Sequence, residues 1–479
     1  MELLTTIVNE MVSIIWSMFL VMLCLGAGLF LSIRLKFPQV LYISEMVRLL
    51  FKDKRSERGI SSFQAFATTV GARVGMGNIA GVATAICAGG PGSIFWMWVI
   101  TFIGAASAFT ESVLAQAYKT KNPDGVFIGG PAYYIEKGLG NKLYAMIFAV
   151  FAVLGPGLLM PGVQINSLVL VFEEAFGIDK LLVGAVCCVF LAFIVFGSIK
   201  RISKLAELLA PVMCCIYIGL AVIILGLNFD KIFGIISLII QSAIGIDPIC
   251  GGIVGAAVSW GVKRGIYSNE AGMGCGAIVS AAAECTHPAK QGFIQAFSIY
   301  VDTLFIGTAT AMIILLTGTF DVADGNGGFL INQINGLESG IKWAQYALMG
   351  TYGEWCGKLL AIIIVLFVFT SLTGYCYQAE SNIRYITKDN KLAVNALRII
   401  FVLCSFFGCM VNADVIWAMG DIGYGLMAYA NIFAILILSP MAVKLLKDYV
   451  DQKKQGIDPV FDPARFGIED ETGAWKKLK

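Results

Sequence analysis

Residues 68–86, TTVGARVGMGNIAGVATAI, are apolar enough to cross a bilayer, yet they hold Gly71, Gly75, Gly77, Gly81, Arg73 and Asn78. Glycine inside a helix costs about 1 kcal/mol relative to alanine. A segment built only for spanning needs neither glycines nor these polar groups. The pattern fits a helix that stops and restarts, which lipid tolerates only where the freed backbone faces protein, water or a ligand. That makes the stretch a candidate binding site near mid-membrane. Packing is the alternative, because Gly71 with Gly75 and Gly77 with Gly81 have small-xxx-small spacing.

The class follows from composition. Of 479 residues, 58% are hydrophobic and 14% charged, and mean hydropathy is +0.80. Soluble domains carry about 25% charged residues, so this is an all-α polytopic membrane protein whose first partner is the lipid bilayer. A net charge of +2 and the lack of a basic tract with interleaved aromatics give no sign of nucleic acid. The 13 cysteines fall mostly inside apolar runs and form no CxxC pair, which fits packing rather than metal or disulfides. His287 near Cys285 supplies too few ligands for zinc and reads as a loop residue. The N-terminus lacks the basic region and cleavage site of a signal peptide and is expected to remain as a helix.

Apolar runs predict about 11 spans, at 10–33, 64–88, 92–117, 143–172, 181–199, 205–227, 249–284 (broken), 292–318, 356–386, 394–411 and 416–445. The first is followed by Arg34, Lys36, Arg48, Lys52, Lys54, Arg55 and Arg58, an inner-face signature. Alternate loops carry Lys119 and Lys121, then Lys200, Arg201 and Lys204, then Lys290, then Arg384, Lys388 and Lys391, and finally the tail. Lys263 and Arg264 are expected on that same face. The opposite loops are uncharged or acidic, with Glu2, Glu10, Asp321, Asp324 and Glu338. The N-terminus is therefore expected outside and the C-terminus in the cytoplasm, in the cell membrane. Residues 34–60 and 229–245 read as surface helices, and 129–140 as a segment that dips into the membrane.

The seventh run repeats the oddity of the second. Lys263, Arg264, Asn269 and Glu270 interrupt it, and a break is expected at KRGIYSNE. Gly75-Met76-Gly77 is echoed by Gly272-Met273-Gly274, five spans later. Interrupted helices at matching positions of two halves are the best sequence pointer to a secondary transporter's site. With five spans per half, the halves would be inverted repeats and the first helix an extra.

VGMGNIAGVATAI, GGPGSIFWMWVITFIG (89–104), ESVLAQAYK (111–119), GGPAYY (129–134), RGIYSNEAGMG (264–274), THPAKQGF (286–293), YQAESNIRYI (377–386) and DPVFDPARFGI together resemble the alanine-or-glycine:cation symporter family. The resemblance covers nearly the whole chain. It implies a sodium-coupled amino-acid carrier with a leucine-transporter-like five-plus-five core. Expected divisions are 1–60 for the extra helix and surface helix, 61–228 and 229–448 for the repeats, and 449–479 for the tail.

A zwitterion in a low-dielectric site has two charges to satisfy, and unwound backbone can meet both. The expected substrate contacts are Gly75, Met76, Gly77 and Asn78, an opposing half-site at Gly272 and Gly274, and Gln164 and Tyr375 as walls. The resemblance places a Na⁺ site at Thr370 and Ser371 with carbonyls near Ala72 and Gly75. Mid-helix hydroxyls also often bond their own helix. Asn269 and Glu270 could orient or close the half-site, or serve as a cap and an ion pair to Lys263 or Arg264. Arg73 should pair with Glu111 or Glu270 or face water. Met76, Ser371 and Tyr375 depart from the residues associated with the family (threonine, threonine and tryptophan), which opens glutamine as a substrate besides alanine or glycine. No cofactor is expected beyond Na⁺ as coupling ion. A hydrolase is disfavoured because His287 has no intramembrane serine beside it, and a channel because no filter or charge ring is evident. Proton coupling would need a membrane carboxylate, for which Glu111 and Glu380 are the only good options.

Overall fold

The computed structural model describes residues 2–52, 59–197, 199–335 and 337–475. They are mostly helical, with two short antiparallel hairpins, Thr120–Lys121 with Phe127–Ile128 and Asp321–Ala323 with Phe329–Asn332. Among them, 8 helices are long and apolar enough to cross a membrane. The other expected runs are shorter helices: Lys180–Val195, Lys391–Phe407, and the pair Val254–Asn269 and Cys275–Ala281. Lys54, Arg55 and Arg58 lie outside the described residues.

Side-chain size sorts the helices into centre and rim. The apolar window of Ser62–Gly89, rich in Gly and Ala, is 89% buried, against 39% for Thr5–Arg34 and for Ala206–Leu227. Large apolar side chains such as Phe190, Phe193, Leu208 and Ile223 stand exposed on the rim, as lipid-facing residues must. Entry into the central helix is fixed locally. Ser61 Oγ accepts from Gln64 N (3.1 Å) and Gln64 Oε1 accepts from Ser61 N (3.0 Å), a reciprocal cap.

Both segments expected at the membrane surface contain helices, Pro38–Leu41 with Ile43–Lys52 and Ile232–Ala243. Pro131–Leu139 is a helix whose first residues, Pro131 to Ile135, are buried. The tail is docked rather than free. Lys290 Nζ lies 3.1 Å from Asp458 Oδ1, and Phe461 N donates to Thr286 O (2.8 Å). Lys121 N donates to Thr472 Oγ1 (3.0 Å), and the Lys119 ammonium sits 4.2 Å from the Trp475 ring centroid.

Two expectations are corrected here and a third is sharpened. His287 does lie in the loop before Pro288–Ile299, but it is fully buried there as the cap of that helix, with Nδ1 accepting from Ala289 N (3.1 Å) and Nε2 3.2 Å from Asp448. Burial lowers its pKa against the pull of Asp448. Lys263 and Arg264 do not share a face with the basic loops. They line a cavity of about 340 Å³ with Asn9, Glu338, Lys342 and Asp414, on the acidic side. The charge-bias rule governs loops, whereas these two sit in a helix and are neutralised by Asp421, at 2.7 and 2.9 Å. Finally, the seventh run does not break at KRGIYSNE. The helix continues through Asn269, and the break falls at residues 270–274.

Candidate functional site

The first broken helix ends at Arg73, passes through Val74 and Gly75, and restarts at Met76. Glycine is required here by crowding. A Cβ on Gly75 would lie 2.5 Å from Ser371 Oγ and 3.1 Å from Gln164 Oε1, and one on Gly77 would lie 3.1 Å from Ser268 Cα. The second requirement lets the two broken helices touch backbone to backbone. Gly75 N donates to Asn78 Oδ1 (3.2 Å), Met76 N to Gln164 Oε1 (3.4 Å), and Gln164 Nε2 to the Tyr375 hydroxyl (3.2 Å). Gly75, Met76, Gly77, Asn78, Gln164 and Tyr375 therefore meet in one place, as expected.

Asn78 also faces a residue the sequence reading passed over. Its Nδ2 donates to Asp302 O and Oδ1, both at 2.9 Å, while Asp302 Oδ2 accepts from Ser268 Oγ (2.8 Å) and Thr303 Oγ1 (2.7 Å). Asp302 is fully buried and stands in a π-helical stretch, Tyr300–Gly307. A lone acid inside the apolar run 292–318 was the available signal, and π-bulges concentrate at functional sites. Glu111 and Glu380 are thus not the only carboxylates inside the bundle. Glu380 is held by Arg384 (2.8 Å) and Arg398 (2.7 Å).

At the second break, Glu270, Gly272 and Gly274 have φ of +55°, +78° and +90°. The left-handed region explains the two glycines, and Glu270 occupies it as a non-glycine residue. Asn269 Oδ1 accepts from Ala271 N (3.0 Å), pinning the turn. Glu270 pairs with neither Lys263 nor Arg264. Its Oε1 accepts from the Tyr424 hydroxyl (2.6 Å), and its Oε2 lies 3.8 Å from Arg73 Nε. Arg73 also donates to Ser298. Gly274 N donates to Glu111 Oε2 (3.0 Å), and Asn431 Nδ2 bridges that oxygen (2.8 Å) and Gly272 O (2.9 Å). The half-site expected at Gly272 and Gly274 already holds the protein's own carboxylate.

Around the expected cation position, Ser371 Oγ donates across to Gly71 O (3.2 Å), and Ala72 packs on Gly374. Thr370 packs against Gly71 but donates to Leu366 O (2.9 Å) and Phe367 O (3.0 Å) of its own helix. An aromatic row of Trp417, Tyr267, Tyr424 and Tyr375, with successive ring centroids 5.2, 5.3 and 6.3 Å apart, joins the Lys263–Arg264 cavity to Gln164.

Residues 1–463 match the description "Sodium:alanine symporter family". The chain belongs to the sodium:alanine symporter family. A sodium/proton-dependent alanine carrier protein of Bacillus sp. strain PS3 is 44% identical, over 88% of this chain and 96% of that one. The "Probable sodium/glutamine symporter GlnT" of Bacillus subtilis is 44% identical over 96% and 94%. The sodium/alanine symporter AgcS of Methanococcus maripaludis is 34% identical over 94% and 98%. This member of the sodium:alanine symporter family is a transporter rather than an enzyme.

Proposed function

We propose that this chain carries a small neutral amino acid, alanine or glycine, into the cell with Na⁺ by alternating access. One observation carries the reading. The unwound Val74–Gly75 segment turns backbone N–H groups toward Gln164 and Asn78, with Gln164 in turn on the Tyr375 hydroxyl, at a point so close-packed that a Cβ on Gly75 would come within 2.5 Å of Ser371 Oγ. The substrate carboxylate takes the N–H groups of Gly75, Met76 and Gly77, displacing the long Gln164 contact on Met76 N and sharing Gly75 N with Asn78 Oδ1. Na⁺ takes carbonyls near Ala72 and Gly75 with the hydroxyls of Ser371 and Thr370, the latter after rotating away from its own helix. Arg73, Asn269 and Glu270 brace the two breaks against each other.

In this reading residues 61–228 and 229–448 are the inverted repeats, 1–60 is the extra helix with its surface helix, and 449–479 is a cytoplasmic tail. The N-terminus then lies outside the plasma membrane. One Na⁺ crossing about 100 mV releases roughly 2.3 kcal/mol, and tenfold accumulation of a neutral solute needs about 1.4 kcal/mol, so one ion suffices. Glutamine is the second reading, favoured by the 44% identity to a relative whose name gives it as substrate. Proteoliposomes with an inward Na⁺ gradient test both. Labelled alanine should accumulate only with Na⁺, and glycine should compete. Competition by glutamine alone would favour the second reading, and accumulation without Na⁺ would overturn the ion.

A further inference from the structure

We infer that Glu111 is a proton-binding residue whose charge state is tied to the geometry of the second helix break, making transport pH-dependent. The inference rests on the carrier reading above. Three carboxylates are buried beside the two breaks, and their surroundings differ. Asp302 has both oxygens occupied by donors from Asn78, Ser268 and Thr303. Glu270 has the Tyr424 hydroxyl on one oxygen, and its other oxygen accepts no hydrogen bond but lies 3.8 Å from the Arg73 guanidinium. Asp302 thus has a full set of donors, and Glu270 has a counter-charge within ion-pair distance. Glu111 is surrounded on one side only: Oε2 accepts from Gly274 N and Asn431 Nδ2, while Oε1 is buried with no hydrogen-bond partner.

Among the described residues, no basic group lies within ion-pair distance of Glu111; the ionisable groups within electrostatic reach are Arg73, Glu270, Tyr134 and Cys275. A buried carboxylate with one bare oxygen and no basic group within ion-pair distance is the arrangement a proton completes. The proton comes from water and adds to Oε1, and Oε2 remains the acceptor for both N–H donors. Those two bonds then change from charge-assisted to neutral and lose roughly half their strength. They hold Gly274 directly and Gly272 through Asn431, so protonation loosens the turn that faces the first break.

The test uses the full-length protein in proteoliposomes. Na⁺-driven alanine uptake is measured first, and its absence in wild type would sink the carrier reading, not the assignment of Glu111. At fixed Na⁺, wild-type rate should change several-fold between about pH 5 and about pH 9, and Glu111→Gln should flatten that profile. Infrared titration of the same membranes provides an arm that needs insertion but not transport. A buried carboxyl C=O band should titrate in wild type, vanish in Glu111→Gln, and show a displaced midpoint in Asn431→Ala. Absence of both the pH-dependent rate and the band in wild type would overturn the assignment. Persistence of either unchanged in Glu111→Gln would do the same.

Discussion

Removing the Asn78 side chain is the most searching perturbation of the proposed site, because that one amide serves two masters. Its oxygen holds Gly75 N at 3.2 Å, and its nitrogen holds Asp302 at 2.9 Å. In Asn78→Ala the first loss is worth about 1 kcal/mol and the second, to a charged partner, about 1.5–3 kcal/mol. A combined loss of about 3 kcal/mol corresponds to roughly 150-fold in the population of the fastened arrangement. Alanine uptake into proteoliposomes should fall by about two orders of magnitude. Size-exclusion behaviour should stay close to wild type, because the helices on either side of the break keep their packing, while the thermal midpoint falls by a few degrees with the lost buried bonds. Asn78→Asp separates the two roles: it retains an acceptor for Gly75 N but sets a second carboxylate against Asp302, and should transport no better at neutral pH. Wild-type rate and KM in Asn78→Ala would refute the argument.

Asp421→Asn leaves Lys263 and Arg264 as unpaired cations in a largely buried cavity, where breaking such a pair typically costs about 3–5 kcal/mol. A clear drop in thermal stability in detergent is expected, and an unchanged midpoint would mean water already solvates the pair. Glu45, on the surface helix Ile43–Lys52, is partly buried, which opposes ionisation, but hydrogen bonds from Arg48, Tyr449 and Lys453 outweigh this and lower its pKa. Its contribution to stability is therefore present above the ordinary carboxylate value of about 4.3 and lost as pH falls through the lower folded value. Acid unfolding followed by circular dichroism should show this contribution in wild type and lack it in Glu45→Gln.

The breaks were legible because glycine and polar residues inside an apolar run have no other good explanation. Their partners were not. Arg264 finds Asp421 across 157 residues, and Gly274 finds Glu111 across 163. No local pattern encodes such pairings. The second break falls later than the charged residues predict. A long basic side chain can stay in a continuous helix if an acid reaches it, whereas Gly272 and Gly274 need positive φ, and only the backbone decides. THP reads as a turn and is one; what the sequence does not show is that this turn is buried under the tail and the last helix. Asp302 went unnoticed because a single acid barely alters the hydropathy of a long run.

The docked tail has a consequence for biogenesis. Lys121 is synthesised 351 residues before Thr472, the residue that accepts from its backbone N–H. The helices between them can all be in the bilayer while the loop bearing Lys119 and Lys121 still lacks its cover, so this face is completed only after the segment around Thr472 has been made.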